Sequence, residues 1–255
     1  YRWQNGTLTT LVSDLPSGGG FWTGGIAVGD DGRIYVATGA PCDFCVSPDP
    51  ARGAVLRFAP DGSDRQIIAT GLREPTALTF MNGDLYVVDS ARDGLFDTPD
   101  LDELDRVPLD QTDTDFGFPY CVGLHNTPDL NGFDCSKATP PVVAFPTASN
   151  PSALAVYRGT AIPSLEGKLL VVLSGSYNNL DLRGYAVVTV DPQAGTYALL
   201  MPNKPDNSPG SNFTLEQMSF RGSGFYPQRP LGVAVTEQGW VYISAGDGRI
   251  LSLRP

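Results

Sequence analysis

Four times along the chain, a short apolar strand, a glycine-containing turn and a second, almost wholly apolar strand follow one another. They are GGIAVGDDGRIYVATG, TALTFMNGDLYVVDS, SALAVYRGTAIPSLEGKLLVVLSGS and LGVAVTEQGWVYISAG. The second strands RIYVATG, DLYVVDS, KLLVVLS and WVYISAG are apolar on both alternating faces, whereas a strand with one wet face alternates. Both faces must therefore be covered. Asp-Asp-Gly, Asn-Gly-Asp and Glu-Gln-Gly suit the tight connections, because glycine accepts positive φ.

Strands covered on both sides are what the centre of a propeller blade experiences when blade packs on blade. Third strands follow at AVLRFAPDG, DELDRVPLD and GYAVVTVDP, GRILSLRP closes the chain, and outer fourth strands are expected at DRQIIATGL and TYALLMPNK. With 29 glycines and 22 prolines, no long segment keeps a clean 3.6-residue period. The expectation is an all-β, single-domain β-propeller over residues 1–255, built of four-stranded antiparallel blades. YRW and TLTTLVSDL read as outer strands of a blade whose inner strands are not in the sequence, so about four to five blade equivalents are present. Either the two ends combine to close the propeller, or the chain is a fragment of a larger one. Long loops, where function tends to sit, are expected at 91–118, 121–150 and 203–228.

Twenty-eight acidic against 17 basic residues give a net charge of −11, with no basic stripe, which argues against nucleic acid and anionic membrane as partners. No run approaches the roughly 18 apolar residues of a membrane helix. The opening YRWQNGTLTT lacks the features of a signal peptide, so no targeting segment is expected in these residues. The oligomeric state is left open.

Cysteines fall into two local pairs, Cys42 with Cys45 and Cys121 with Cys135, read as two disulfides of an extracellular or periplasmic protein. A half metal site or redox dithiol is the alternative for CDFC. Zinc would need two further soft ligands, and the single histidine, His125, lies far along the chain. Glycosylation triplets start at Asn5 and Asn212.

One histidine leaves a Ser-His-Asp triad a single possible base, and no strand leads into a phosphate-cradling loop. Calcium has more support. DSARDGLFDTPDLDELDRV places Asp89, Asp93, Asp97, Asp100, Asp102, Glu103 and Asp105 close together, although not with EF-hand spacing, and a solvated acidic loop is the alternative. Arg73 and Arg229 each stand just before a hairpin, where a guanidinium can hold a carboxylate or bond to neighbouring carbonyls.

GGIAVGDDGRIYVATGAPCDFC, AVLRFAPDGSDRQIIATGLREP, LYVVDSARDG, DELDRV, DFGFPYC, SGSYNNLDLRGYAVVTV and QRPLGVAV, in this order, resemble the pyrroloquinoline quinone (PQQ) dependent glucose/sorbosone dehydrogenase family. The resemblance implies a secreted six-bladed propeller that binds PQQ and Ca²⁺. It also implies hydride transfer from a sugar hydroxyl or aldehyde hydrate to the quinone, with a histidine as base. It assigns Arg73, Glu74, Arg229, Tyr177 and Asn178 to the cofactor, and Ala91 and Arg92, with Asp89 and Asp93 beside them, to the metal. Departures accompany it. Phe21 and Trp22 stand where the family has its base histidine and an aromatic, leaving Asp89 as a further catalytic candidate. Glu74 replaces an asparagine. Ala148, Ser149, Asn150 and Pro151 stand for His-Ser-Ala-Pro, and Ser174 to Asn179 for His-Gly-Ser-Trp-Asn-Arg. Leu231 replaces an arginine found in some members.

The expected function is thus sugar oxidation impaired by loss of the base. The alternatives are a non-catalytic carbohydrate- or protein-binding propeller, and a hydrolase or lyase using Asp89, Glu74 or Tyr177.

Overall fold

The computed structural model describes residues 1–92, 100–111, 113–122, 127–128, 133–175, 183–201, 229–246 and 248–255. Among them are strands and two short 3₁₀ turns, with no α-helix and so none able to cross a membrane. The chain forms two compact units, Tyr1–Tyr86 with Arg106–Pro140 and Val87–Asp105 with Pro141–Pro255.

In the first unit, β1 (Arg2–Gln4) and β2 (Thr7–Thr9) pair only with each other. Asn5 and Gly6 close them with φ of 51° and 79°, the left-handed pair of a two-residue turn. β3 (Thr23–Val28), β4 (Ile34–Thr38), β5 (Ala54–Phe58) and β6 (Gln66–Thr70) form an antiparallel meander in sequence order. β7 (Pro75–Met81) turns at Asn82-Gly83, again with positive φ, into β8 (Asp84–Asp89), followed by β9 (Asp102–Val107). β10 (Thr114–Asp115) adds in parallel to β6, and β11 (Cys121–Val122) pairs with β12 (Thr127–Pro128). The sheet order is β13-β9-β8-β7, with β13 (Val143–Phe145) belonging to the second unit and the boundary between the units falling within β8 and β9.

In the second unit, β14 (Pro151–Val156), β15 (Leu169–Leu173), β16 (Ala186–Asp191) and β17 (Thr196–Met201) form a four-stranded meander. A three-stranded sheet of β18 (Pro230–Val235), β19 (Val241–Ala245) and β20 (Ile250–Leu253) follows.

The expected hairpins, third strands and fourth strands all form. β10 and β13 lie inside segments read as loops, and they are too short to carry a pattern of their own. The second strands are covered as their composition demands. β4 and β8 are buried beyond their first residue, and every residue of β15 is fully buried. Each aliphatic side chain so enclosed contributes about 1.5–3 kcal/mol relative to exposure. β19 departs from this, since Tyr242 is half-buried and Ser244 exposed.

Sheet-on-sheet packing within each unit depends on small groups and one tyrosine. Gly24 lies against β7, where a Cβ would stand 1.9 Å from the Pro75 carbonyl oxygen, so only glycine allows β3 this approach. In the second unit the Tyr157 hydroxyl donates to the Gly239 carbonyl (3.0 Å) and accepts from the Ile162 N–H (2.7 Å). The core around it joins Leu165, Leu170, Val172, Val187, Val241 and Ile243.

Candidate functional site

Features recur at the starts of the inner strands. Pro75, Pro151 and Pro230 open β7, β14 and β18, where a missing N–H costs no ladder bond. Register shifts at Thr23/Ile26, Pro151/Ala153 and Pro230/Gly232 bend β3, β14 and β18 at the same point. One backbone bond repeats there: the amide just after the second strand donates to the carbonyl just before the first. It runs from Gly39 to Trp22 (3.1 Å), Ser174 to Asn150 (2.9 Å) and Gly246 to Arg229 (2.8 Å). Trp22, Asn150 and Arg229 therefore occupy equivalent positions of the repeat.

In the first unit, Phe21 and Trp22 diverge. Trp22 is 86% exposed, while the Phe21 ring lies 4.2 Å beneath the Arg73 guanidinium carbon. The Phe21 N–H donates to the Ala40 carbonyl (2.9 Å) and the Ala40 N–H to the Arg73 carbonyl (2.8 Å), which locks the two loops together. Arg73 is buried. Its Nη2 pairs with the Asp43 carboxylate, its Nε donates to the Asp43 carbonyl (3.3 Å), and its Nη1 lies 3.6 Å from Glu74 Oε2. Asp43 sits between the two cysteines of the Cys42–Cys45 disulfide. Buried Arg52 donates to the carbonyls of Gly19 (2.7 Å) and Ala40 (3.1 Å) and fixes the loop ahead of Phe21. Both expected disulfides form, Cys42–Cys45 and Cys121–Cys135. Sequence reasoning missed Asp43 and Arg52. The signal for Asp43 was an acid held inside a three-residue cysteine spacing.

In the second unit, Asp102 is the organising residue. One of its oxygens accepts the Ala91 N–H (2.8 Å), the other the Asn150 N–H (2.7 Å). Ser90 Oγ donates to Asn150 Oδ1 (3.3 Å), Ser174 Oγ to the Asn150 carbonyl (3.0 Å), and the Gly175 N–H to the Ser149 carbonyl (2.8 Å). Ala148 and Asn150 hold φ of 60° and 53°, uncommon for residues with a Cβ, and this web over-determines them. Arg229 donates through Nη1 to the carbonyls of Ser174 (3.3 Å) and Gly175 and lies 4.8 Å from the Tyr185 ring centre. Ala91, Ser149, Asn150, Ser174, Gly175 and Arg229 are thus brought into one network. Leu231 is largely exposed. Tyr177, Asn178, Asp93, Asp97 and His125 lie outside the described residues.

Several acids of this unit are enclosed. Burial pushes Asp102 up to about 7, against the lowering effect of the backbone N–H groups of Asn150, Ala91 and Ser149. Burial also raises Glu103 to about 8, with Asp89, Asp102 and Asp100 adding to the rise. Asp105 is fully buried with neither carboxylate oxygen hydrogen-bonded among the described residues, and burial, Glu103 and Asp89 together raise it well above the usual range. Asp100 pairs with Arg92.

Antiparallel blades in sequence order, three of them opened by a bulged inner strand, define an all-β protein of the β-propeller class. No protein-family model matches the chain, and no curated protein matches it. Solved structures do. The holo form of the pyranose dehydrogenase PQQ domain from Coprinopsis cinerea superposes with a TM-score of 0.65 at 17% identity, over 90% of this chain and 69% of that one. The apo form of the soluble aldose sugar dehydrogenase from Escherichia coli gives 0.61 at 16% identity, over 90% and 63%. The PQQ-bound aldose sugar dehydrogenase from Streptomyces coelicolor gives 0.57 at 19% identity, over 91% and 62%. The chain therefore shares the fold of these enzymes and spans between 62% and 69% of their length.

The donor set does not fit a quinone carrying three carboxylates. Arg73 already faces two acids, Asp43 and Glu74. Arg229 is directed to backbone carbonyls. The carbonyl of Arg92, assigned by resemblance to calcium, accepts from Thr147 Oγ1 (3.5 Å). Among the described residues no three acidic, histidine or cysteine side chains are disposed to share a metal ion.

Proposed function

We propose that the chain is a carbohydrate-binding propeller that keeps the sugar dehydrogenase fold while quinone-dependent oxidation is impaired. The observation that carries this reading is the pairing of Arg73 with Asp43 and Glu74, on a face covered by Phe21 rather than beside a base. Losing a general base alone costs about 10² to 10⁴ in rate. What remains suits a neutral polyol. Aromatic rings stack on sugar faces, which the exposed Trp22 offers, and carboxylates accept sugar hydroxyls, which Asp43 and Glu74 offer. The sugar dehydrogenase neighbours support the substrate class, and the two disulfides support export to an oxidising compartment.

The test is a titration of the calcium-loaded protein with PQQ by absorbance and calorimetry, with a dye-linked aldose assay on the same sample. Sugars are titrated in parallel by tryptophan fluorescence, with Trp22→Phe as control. Sugar binding without dye reduction supports the reading. One-to-one PQQ uptake with dye reduction overturns it.

A further inference from the structure

Arg73 and Asp43 are unequal partners: the arginine side chain is 9% exposed and the aspartate 65%. The carboxylate thus lies at the mouth of the site and the guanidinium beneath it. Asp43 uses both its side chain and its main-chain carbonyl on the same arginine, taking Nη2 and Nε. Nη1 faces Glu74, and Phe21 covers one flat face. A bidentate external anion would need the same edge that Asp43 holds.

We propose that Asp43, carried on the Cys42–Cys45 ring, is the specificity-determining residue of this site: a resident carboxylate that fills the anion-binding edge of Arg73 and restricts the site to neutral ligands. The inference rests on the carbohydrate reading for the identity of those ligands. Two physical arguments carry it. A tethered carboxylate competes at an effective concentration of about millimolar or above, which a free monocarboxylate rarely outcompetes. Glu74 beside Nη1 adds a second carboxylate, so an anion approaching Arg73 meets like charge as well as competition from Asp43. The disulfide closes a ring over a sequence separation of 3, which fixes the backbone on which Asp43 stands. Opening that ring with a dithiol, which becomes a cyclic disulfide as the two thiols form, relaxes the clamp without removing the charge.

Calorimetry at low salt with benzene-1,3,5-tricarboxylate, a planar trianion, tests this on the full chain. Asp43→Asn keeps the shape and removes the charge. It is expected to bind the trianion at least about tenfold more tightly than the parent, a change of 1.4 kcal/mol. Adding Arg73→Gln should abolish the gain. Dithiothreitol treatment, or Cys42→Ser with Cys45→Ser, should give a smaller gain of the same sign. Thermal melts confirm folding, and Asp43→Ala replaces Asp43→Asn if the latter does not fold. Unchanged trianion affinity in the folded Asp43 variants, or a gain that survives Arg73→Gln, overturns the proposal. Failure of the parent to bind any sugar would sink the carbohydrate reading alone, because the trianion experiment does not depend on it.

Discussion

The guanidinium carbon of Arg73 lies 4.2 Å from the centre of the Phe21 ring. This contact gives Phe21 a positive job, that of a platform for a buried cation. A cation over an aromatic face contributes about 0.5–2 kcal/mol, more when desolvated. Phe21→Leu, which keeps bulk but loses the ring, should lower the melting temperature by several degrees. Phe21→Tyr should leave it nearly unchanged. Equal melting of both variants would show that the contact is packing alone.

Asp102 serves Ala91 and Asn150 through separate oxygens, so its removal takes the acceptor from two half-buried amides at once. Each costs about 1–3 kcal/mol when left unpaired. Asp102→Ala should destabilise the second unit by about 2–5 kcal/mol in urea unfolding. Asp102→Asn, which keeps one acceptor oxygen, should cost roughly half of that. Hydrogen exchange should speed first at Ala91 and Asn150, and protection unchanged there would contradict the assignment.

Asp105 and Glu103 predict a stability that falls with rising pH. Their folded-state values are raised above the ordinary 3.8 and 4.5, so the neutral forms are favoured in the folded chain. Their stabilising contribution is complete below those ordinary values and is lost as pH climbs through the folded ones, about 8 for Glu103. Melting temperatures measured from pH 4 to pH 9 should decline across this range. Asp105→Asn, isosteric and neutral, should raise the alkaline end and flatten the slope. A parallel curve for the variant would remove Asp105 from the account.

Tyr157 ties the turn at Gly239 to the start of the 3₁₀ turn at Ile162. Tyr157→Phe removes the hydroxyl and leaves a half-buried N–H and a buried C=O to be satisfied otherwise. A loss of about 1–3 kcal/mol follows from the unpaired groups, measurable by denaturant titration. No loss would mean that water reaches both.

The hairpins were legible because their information is local. Asn82-Gly83 specifies a two-residue turn through backbone sterics, and the two-sided apolar runs of β8 and β15 can be satisfied only by cover on both faces. The two disulfides were legible from spacing. β10 and β13 were not, since strands of two and three residues are selected by the edges of β6 and β9 rather than by their own pattern. The importance of residues before the inner strands was visible at Arg73 and Arg229, which precede prolines. Their occupations were not visible. Whether a guanidinium is offered to a ligand or spent on Asp43, and whether an acid such as Asp102 binds a metal or two backbone amides, depends on groups distant in the chain. Sequence alone thus determined the all-β blades and where their loops begin, because turn sterics and two-sided burial act over a few residues. Tertiary structure decided what each charge in those loops is paired with, because Coulombic and hydrogen-bond partners are chosen by distance in space.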